Sequence, residues 1–177
     1  MINEDILDTF NLNVQATIYL KKLIYLVANS MPFKPNIESL GSSLKISKET
    51  VYNYLEYLTQ GKLFISLKAQ NKGLDSVRKA DKIYLSNSNL YCALIQSWEI
   101  GTIREAFFVS QIQSFEKLEI FTDKKVDFRI NNDLFEIGGE NKLNQKSKYP
   151  QNTYFVIDSV EFGSKKVVPL WLVGFLN

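Results

Sequence analysis

The chain has 177 residues, a formal net charge of +2, 45% apolar residues and 23% charged residues, a composition that belongs to a globular protein and excludes a disordered or fibrous one. One cysteine, Cys92, excludes an internal disulfide. The absence of histidine excludes His-based acid–base catalysis, Ser-His-Asp and Cys-His nucleophile pairs and histidine-bearing zinc sites.

Carboxylates, lysines and tyrosines are left to carry any chemistry. The charge is unevenly spread. Lys34 to Lys82 holds nine Lys/Arg against five Asp/Glu, whereas residues 87–177 hold ten against eleven. The N-terminus does not read as a signal peptide. The most apolar stretch, "VVPLWLVGFLN", is about half the roughly 20 residues a spanning helix needs, so the expectation is a cytoplasmic protein with no membrane segment.

In chain order, the first element is an amphipathic helix over residues 14–29, where Ile18, Leu20, Leu23, Ile24, Val27 and Ala28 recur near a 3.6-residue period. The prolines of "MPFKPN" end it. Asn36 is placed to cap a short helix from Ile37 to Leu44, and Ser47 to cap a third carrying Val51, Leu55 and Leu58 on one stripe, with Gly61 as its left-handed stop. "LFISLKA", a polar tip and "DKIYLS" then read as two paired strands. Residues 14–86 therefore predict a winged helix-turn-helix, within a first domain over 1–86.

Two readings of that domain stay open. As a DNA-binding unit it presents Lys48, Tyr52 and Asn53, beside Glu49 and Glu56, to a groove, while Lys45, Lys68, Lys72, Arg78 and Lys79 hold the backbone of duplex DNA. As a packing module it contacts protein instead. The chain has three arginines, Arg78, Arg104 and Arg129, so base-specific readout is not expected.

The second domain, 87–177, opens with a helix in "GTIREAFFVSQIQSF" and continues with short strands in "LEIFT", "KVDFRI", "LFEIGG", "TYFVIDS" and "KVVPLWLVGFL", which predicts an α/β fold with a mixed sheet. A two-residue turn at Asn131–Asn132 sets Asp127 directly opposite Glu136 and Lys125 opposite Gly138, and puts Val126, Phe128, Ile130, Phe135 and Ile137 on the core face. Opposed carboxylates on a sheet repel, so something must compensate. A magnesium ion held by Asp127 and Glu136 does so, and so does Arg129 or Lys125 nearby; Lys125, across from Gly138, is the expected one. Glu105, beside Arg104, reads as a solvated pair. Lys142 and Gln145 read as the start of a solvated helix.

The segments "PFKPNIESLGSSLKISKETVYNYLEYL", "KADKIYLSNSNL", "GTIREAFF", "VDF", "FEIGGENK" and "PLWLVGFL" jointly resemble the C-terminal region of bacterial and archaeal AAA-family ATPases, a winged helix followed by domain of unknown function 4143. The resemblance covers roughly residues 30–177. It implies a restriction-endonuclease-like second domain in which Glu105, Asp127 and Glu136 match the carboxylates of a magnesium site, and an ATPase core upstream as partner. In such nucleases a lysine stands two residues after the second-strand glutamate. Here that residue is Gly138, so Lys125 is the expected substitute as a catalytic or structural cation. No G-x-x-x-x-G-K-[ST] phosphate loop occurs in the chain, so no nucleotide cofactor is expected. The functions in view are a DNA-binding or partner-positioning module with a degenerate nuclease-like site, an active magnesium-dependent endonuclease, and a protein-binding adaptor.

Overall fold

The computed structural model describes residues 9–30, 34–69, 80–115 and 118–176. The first helix, α1 (Val14–Asn29), has the expected bounds, with Asn13 Oδ1 accepting from the Ala16 N–H at 2.9 Å. Leu20, Leu23, Ile24, Val27 and Ala28 are buried, while Ile18 lies on the outer face. Helices α2 (Ile37–Leu44) and α3 (Lys48–Gln60) start at the caps read from sequence, Asn36 and Ser47.

The end of α3 differs from expectation. Gly61 has φ −71°, and Lys62 takes the left-handed turn with φ 54°. The Leu63 N–H reaches the Leu58 carbonyl at 2.9 Å and Lys62 reaches Thr59 at 3.0 Å, a closing motif in which buried Leu63 supplies the apolar contact. Packing of Leu63 thus decides which residue absorbs the turn.

Strands β1 (Phe64–Leu67) and β2 (Lys82–Leu85) form an antiparallel pair. After α4 (Ser88–Leu94) and α5 (Ile100–Gln113) comes a five-stranded sheet in sequence order: β3 (Ile120–Thr122), β4 (Phe128–Ile130), β5 (Asp133–Gly138), β6 (Thr153–Ile157) and β7 (Val167–Pro169). β4 runs antiparallel to β3 and β5, and β5, β6 and β7 run parallel, so the protein is mixed α/β with a mixed sheet. A 3-10 segment (Glu140–Lys148) links β5 to β6, and α6 (Leu170–Val173) follows β7. The β4–β5 register is the one the sequence predicts, with Phe128 opposite Phe135, Ile130 opposite Asp133 and Asn131 at φ 53°.

One apolar core runs from α1 through β1 and β2 to α5 and the α5-facing side of the sheet, across the boundary expected between residues 86 and 87. The ladder is stitched there as well: the Thr122 N–H donates to the Lys68 carbonyl at 3.0 Å, and Ala69 bridges Thr122. The opposite face of the sheet carries a smaller cluster of Phe155, Ile157 and Val167 under Leu143, Tyr149 and Val160. Among the described residues no helix is long and apolar enough to cross a membrane.

Candidate active site

Strand direction decides where the carboxylates go. Because β4 is antiparallel to β5, the residue just before β4 and the last residues of β5 lie at the same end of the sheet, the carboxyl end of the parallel strands where α/β proteins form crevices. Asp127 and Glu136 meet there. The Asp127 carboxylate accepts from the Ile137 N–H at 2.9 Å, which fixes it against β5. Glu136, only 3% exposed, accepts from Lys142 Nζ and, at 3.0 Å, from Tyr149 Oη, both on the same oxygen.

Glu105 comes from α5. Its Oε2 accepts from buried Tyr84 Oη at 2.5 Å and pairs with Lys82 Nζ at 3.2 Å, both on β2. It is not a solvated partner of Arg104: that guanidinium is bound to Asp158, beyond β6, through Nε at 3.0 Å and Nη2 at 2.9 Å. Arg104 and Glu105 are adjacent on one helix but serve different sides of the site.

Lys125 does not play the part expected of it. It is exposed, its N–H donates to Asp123 Oδ1 at 2.8 Å, and its ammonium engages neither Asp127 nor Glu136. The β4 ladder begins at Phe128, so the register that would set Lys125 across from Gly138 stops short of it. The cation is Lys142 instead, which corrects its reading as a solvated residue. A Cβ built on Gly138 would stand 2.5 Å from Lys142 Cγ, and one on Gly139 would stand 3.3 Å from Arg104 Nη1. Neither glycine has positive φ. The pair is glycine because two cationic side chains lie across it.

The electrostatics leave one carboxylate over. Lys82 offsets Glu105, Lys142 offsets Glu136 and Arg104 offsets Asp158, while Arg129 is committed to Asp123 at 2.8 Å. Among the described residues Asp127 accepts a hydrogen bond from the Ile137 N–H and makes no ion pair of its own, and its pKa is pushed up to about 7, first by burial and then by the charges of Glu105 and Glu136, against which the Ile137 N–H and the more distant charge of Lys142 pull it down. For Lys142, burial pulls the pKa down, but the hydrogen bond and charge of Glu136 outweigh it and hold the ammonium form. Tyr84 is driven far above the ordinary tyrosine range by burial and by Glu105, and so stays a proton donor to that carboxylate.

Among the described residues no three Asp, Glu or Cys side chains form a ready-made metal cage. A hydrated magnesium ion needs only one or two carboxylates, and Asp127 with Glu136 supplies that number.

The proposed DNA face is less well furnished. Lys48 is paired with Glu38 across the surface, Lys45 is exposed at the left-handed end of α2, and Asn53 is exposed. Tyr52 and Lys68 are half-buried. Lys72, Arg78 and Lys79 lie outside the described residues. Tyr57 stacks on Phe10 with ring centroids 4.3 Å apart, a packing role.

Sequence reasoning missed Lys82, Tyr84, Lys142 and Tyr149. Gly138 was the available signal, since a glycine inside a strand marks a close approach.

Residues 1–99 match a family described as a domain of unknown function, DUF8612. The chain belongs to this family. The matched region takes in the three helices, the β1–β2 pair and α4, and so ends just before the helix that carries Glu105. No curated protein and no solved structure matches the chain.

Proposed function

We propose that this chain is the C-terminal module of an AAA-family ATPase, a winged helix joined to a restriction-endonuclease-like half, and that the carboxylate site is a magnesium-dependent DNA endonuclease centre. The observation that carries the reading is Lys142 lying across Gly138 with its ammonium on Glu136, which supplies from the next segment the lysine missing at the strand position. Helix, aspartate and glutamate also follow in the order of that nuclease arrangement: Glu105 on α5, Asp127 before β4, Glu136 on β5. A cytoplasmic location and an upstream ATPase core belong to the same reading.

In this site Asp127 and Glu136 would hold the ion, with Glu105 assisting from α5. When bound, magnesium supplies Lewis-acid stabilisation of the phosphoryl oxygens. The protein's own groups do the rest. Lys142 sets a fixed positive charge where negative charge develops on phosphate. Tyr149 holds Glu136 in place, and Tyr84 with Lys82 fixes Glu105. The Ile137 N–H keeps Asp127 turned toward the end of the sheet.

A second reading rests on the double occupancy of one Glu136 oxygen by Lys142 and Tyr149. The same contacts make a neutralised salt link, and the module then acts by binding DNA or positioning its ATPase. Incubation of the full chain with duplex and single-stranded DNA in magnesium or manganese decides between them. Cleavage that falls at least about a hundredfold in Lys142→Ala and in Glu136→Ala is expected. No cleavage with either metal, or cleavage indifferent to both substitutions, overturns the endonuclease reading.

A further inference from the structure

Past Tyr149, whose hydroxyl donates to Glu136, a cleft of about 540 Å³ opens on the face of the sheet away from α5, toward the amino ends of β6 and β7. One wall is the end of the 3-10 segment and the turn after it, with Lys146, Tyr149 and Gln151, and the other is the approach to β7, with Lys165 and Lys166. Three lysines line it and no acidic residue does. Its floor includes Thr153, 1% exposed, whose register partner on β5 is Leu134, so its side chain shares the Glu136 face. The Thr153 hydroxyl is buried and has no hydrogen-bond partner among the described residues. Buried hydroxyls are normally satisfied, and this one keeps its proton free for a group that enters the cleft.

The lysines are held from below. Lys166 Nζ bonds the Gln151 carbonyl and so ties the two walls together, and Lys146 Nζ stands 5.6 Å over the Phe155 ring. Each ammonium has three donors, so both keep protons for an anion. Lys165 is exposed and makes no ion pair among the described residues. Tyr149 belongs to both places: it lines the cleft and donates to Glu136.

We propose that this cleft binds the phosphodiester backbone of the nucleic-acid strand that enters the carboxylate site. Lys146, Lys165 and Lys166 neutralise its phosphates, and the Thr153 hydroxyl donates to one phosphate oxygen. The assignment rests on the endonuclease reading for its direction toward Glu136, but its binding chemistry does not depend on turnover.

The test is anisotropy of a fluorescein-labelled DNA duplex with the full chain, in calcium so that no strand is cut, across a salt series, with cleavage in magnesium measured on the same preparations. Lys146→Ala/Lys165→Ala is expected to bind at least roughly tenfold more weakly at low salt and to lower the salt slope by about two, one counterion contribution per lysine. Thr153→Val keeps the shape of the wall, and is expected to weaken binding between about twofold and tenfold while raising the melting temperature of the free protein, because it removes an unpaired buried hydroxyl. A double variant with wild-type affinity and slope overturns the cleft, and so does failure of the wild type to bind duplex. Displacement of the duplex by inorganic phosphate or polyglutamate as readily as by unlabelled DNA also overturns it, because the site is then a small-anion pocket or an undiscriminating basic patch. Lysine-dependent binding without cleavage leaves the cleft standing and removes the endonuclease reading alone.

Discussion

Lys142 runs across Gly138 so closely that a Cβ on residue 138 would meet its Cγ at 2.5 Å and its Cε at 3.2 Å. The two positions are therefore one packing unit. Gly138→Ala is expected to destabilise by about 1–3 kcal/mol and to displace the ammonium from Glu136. In a Lys142→Ala background the same change should cost much less, and the coupling in a double-mutant cycle by urea unfolding measures the contact. Gly138→Lys/Lys142→Ala moves the cation back onto the strand and should recover part of any cleavage lost in Lys142→Ala. Additive energies in the cycle would show that the two side chains do not compete for one space.

Asp127 gives the protein a pH signature. Its folded pKa, about 7, lies above its unfolded value of 3.8, so the folded chain binds this proton more tightly than the unfolded chain does. Its contribution to stability is complete below the unfolded pKa and is lost as pH rises through the folded pKa, on the order of 2–4 kcal/mol in all. Asp127→Asn retains an oxygen for the Ile137 N–H and loses the charge. It should be more stable than wild type near pH 8 and nearly equal near pH 4, as read from urea midpoints, while any cleavage disappears. Equal midpoints at both pH values would mean that Asp127 is not held in a desolvated, anionic setting.

The Tyr84–Glu105 bond ties the first half of the chain to the site. A fully buried hydroxyl donates to a carboxylate at 2.5 Å, and Tyr84→Phe leaves that oxygen with Lys82 alone. The expected loss is about 1.5–3 kcal/mol, the range for hydrogen bonds to charged groups. Denaturant unfolding checks it, and a loss near zero would show that solvent replaces the phenol without cost.

Glu38 masks the cation on the helix proposed to face DNA. Glu38→Gln releases Lys48 and is expected to strengthen duplex binding by a few fold at low salt, an effect that added salt abolishes. An unchanged affinity in the same titration would place the DNA contact elsewhere on the chain, leaving the three-helix face as a packing surface.

The sequence by itself determined what local rules govern. Asn36 and Ser47 cap their helices because a side-chain oxygen satisfies an amide three residues on, and the 3.6-residue stripe of α1 sets its buried face. The two-residue turn at Asn131 fixes the β4–β5 register by its length, and the side-chain period of two excludes a one-residue slip, which would turn Phe128 or Ile137 out of the core. That register brings Asp127 and Glu136 to one end of the sheet. Only the tertiary structure decided which cation answers them. Lys125 and Lys142 are both within reach in sequence, and periodicity favours Lys125, but β4 begins at Phe128 and the chain after Gly139 turns into a 3-10 segment that folds back over β5. Glu105 is likewise paired across 21 residues with Tyr84 and across 23 with Lys82, because α5 packs on β2 as well as on the sheet. Caps and registers are set by neighbours a few residues apart, whereas the partner of a buried charge is set by whichever long side chain the packed core delivers to it.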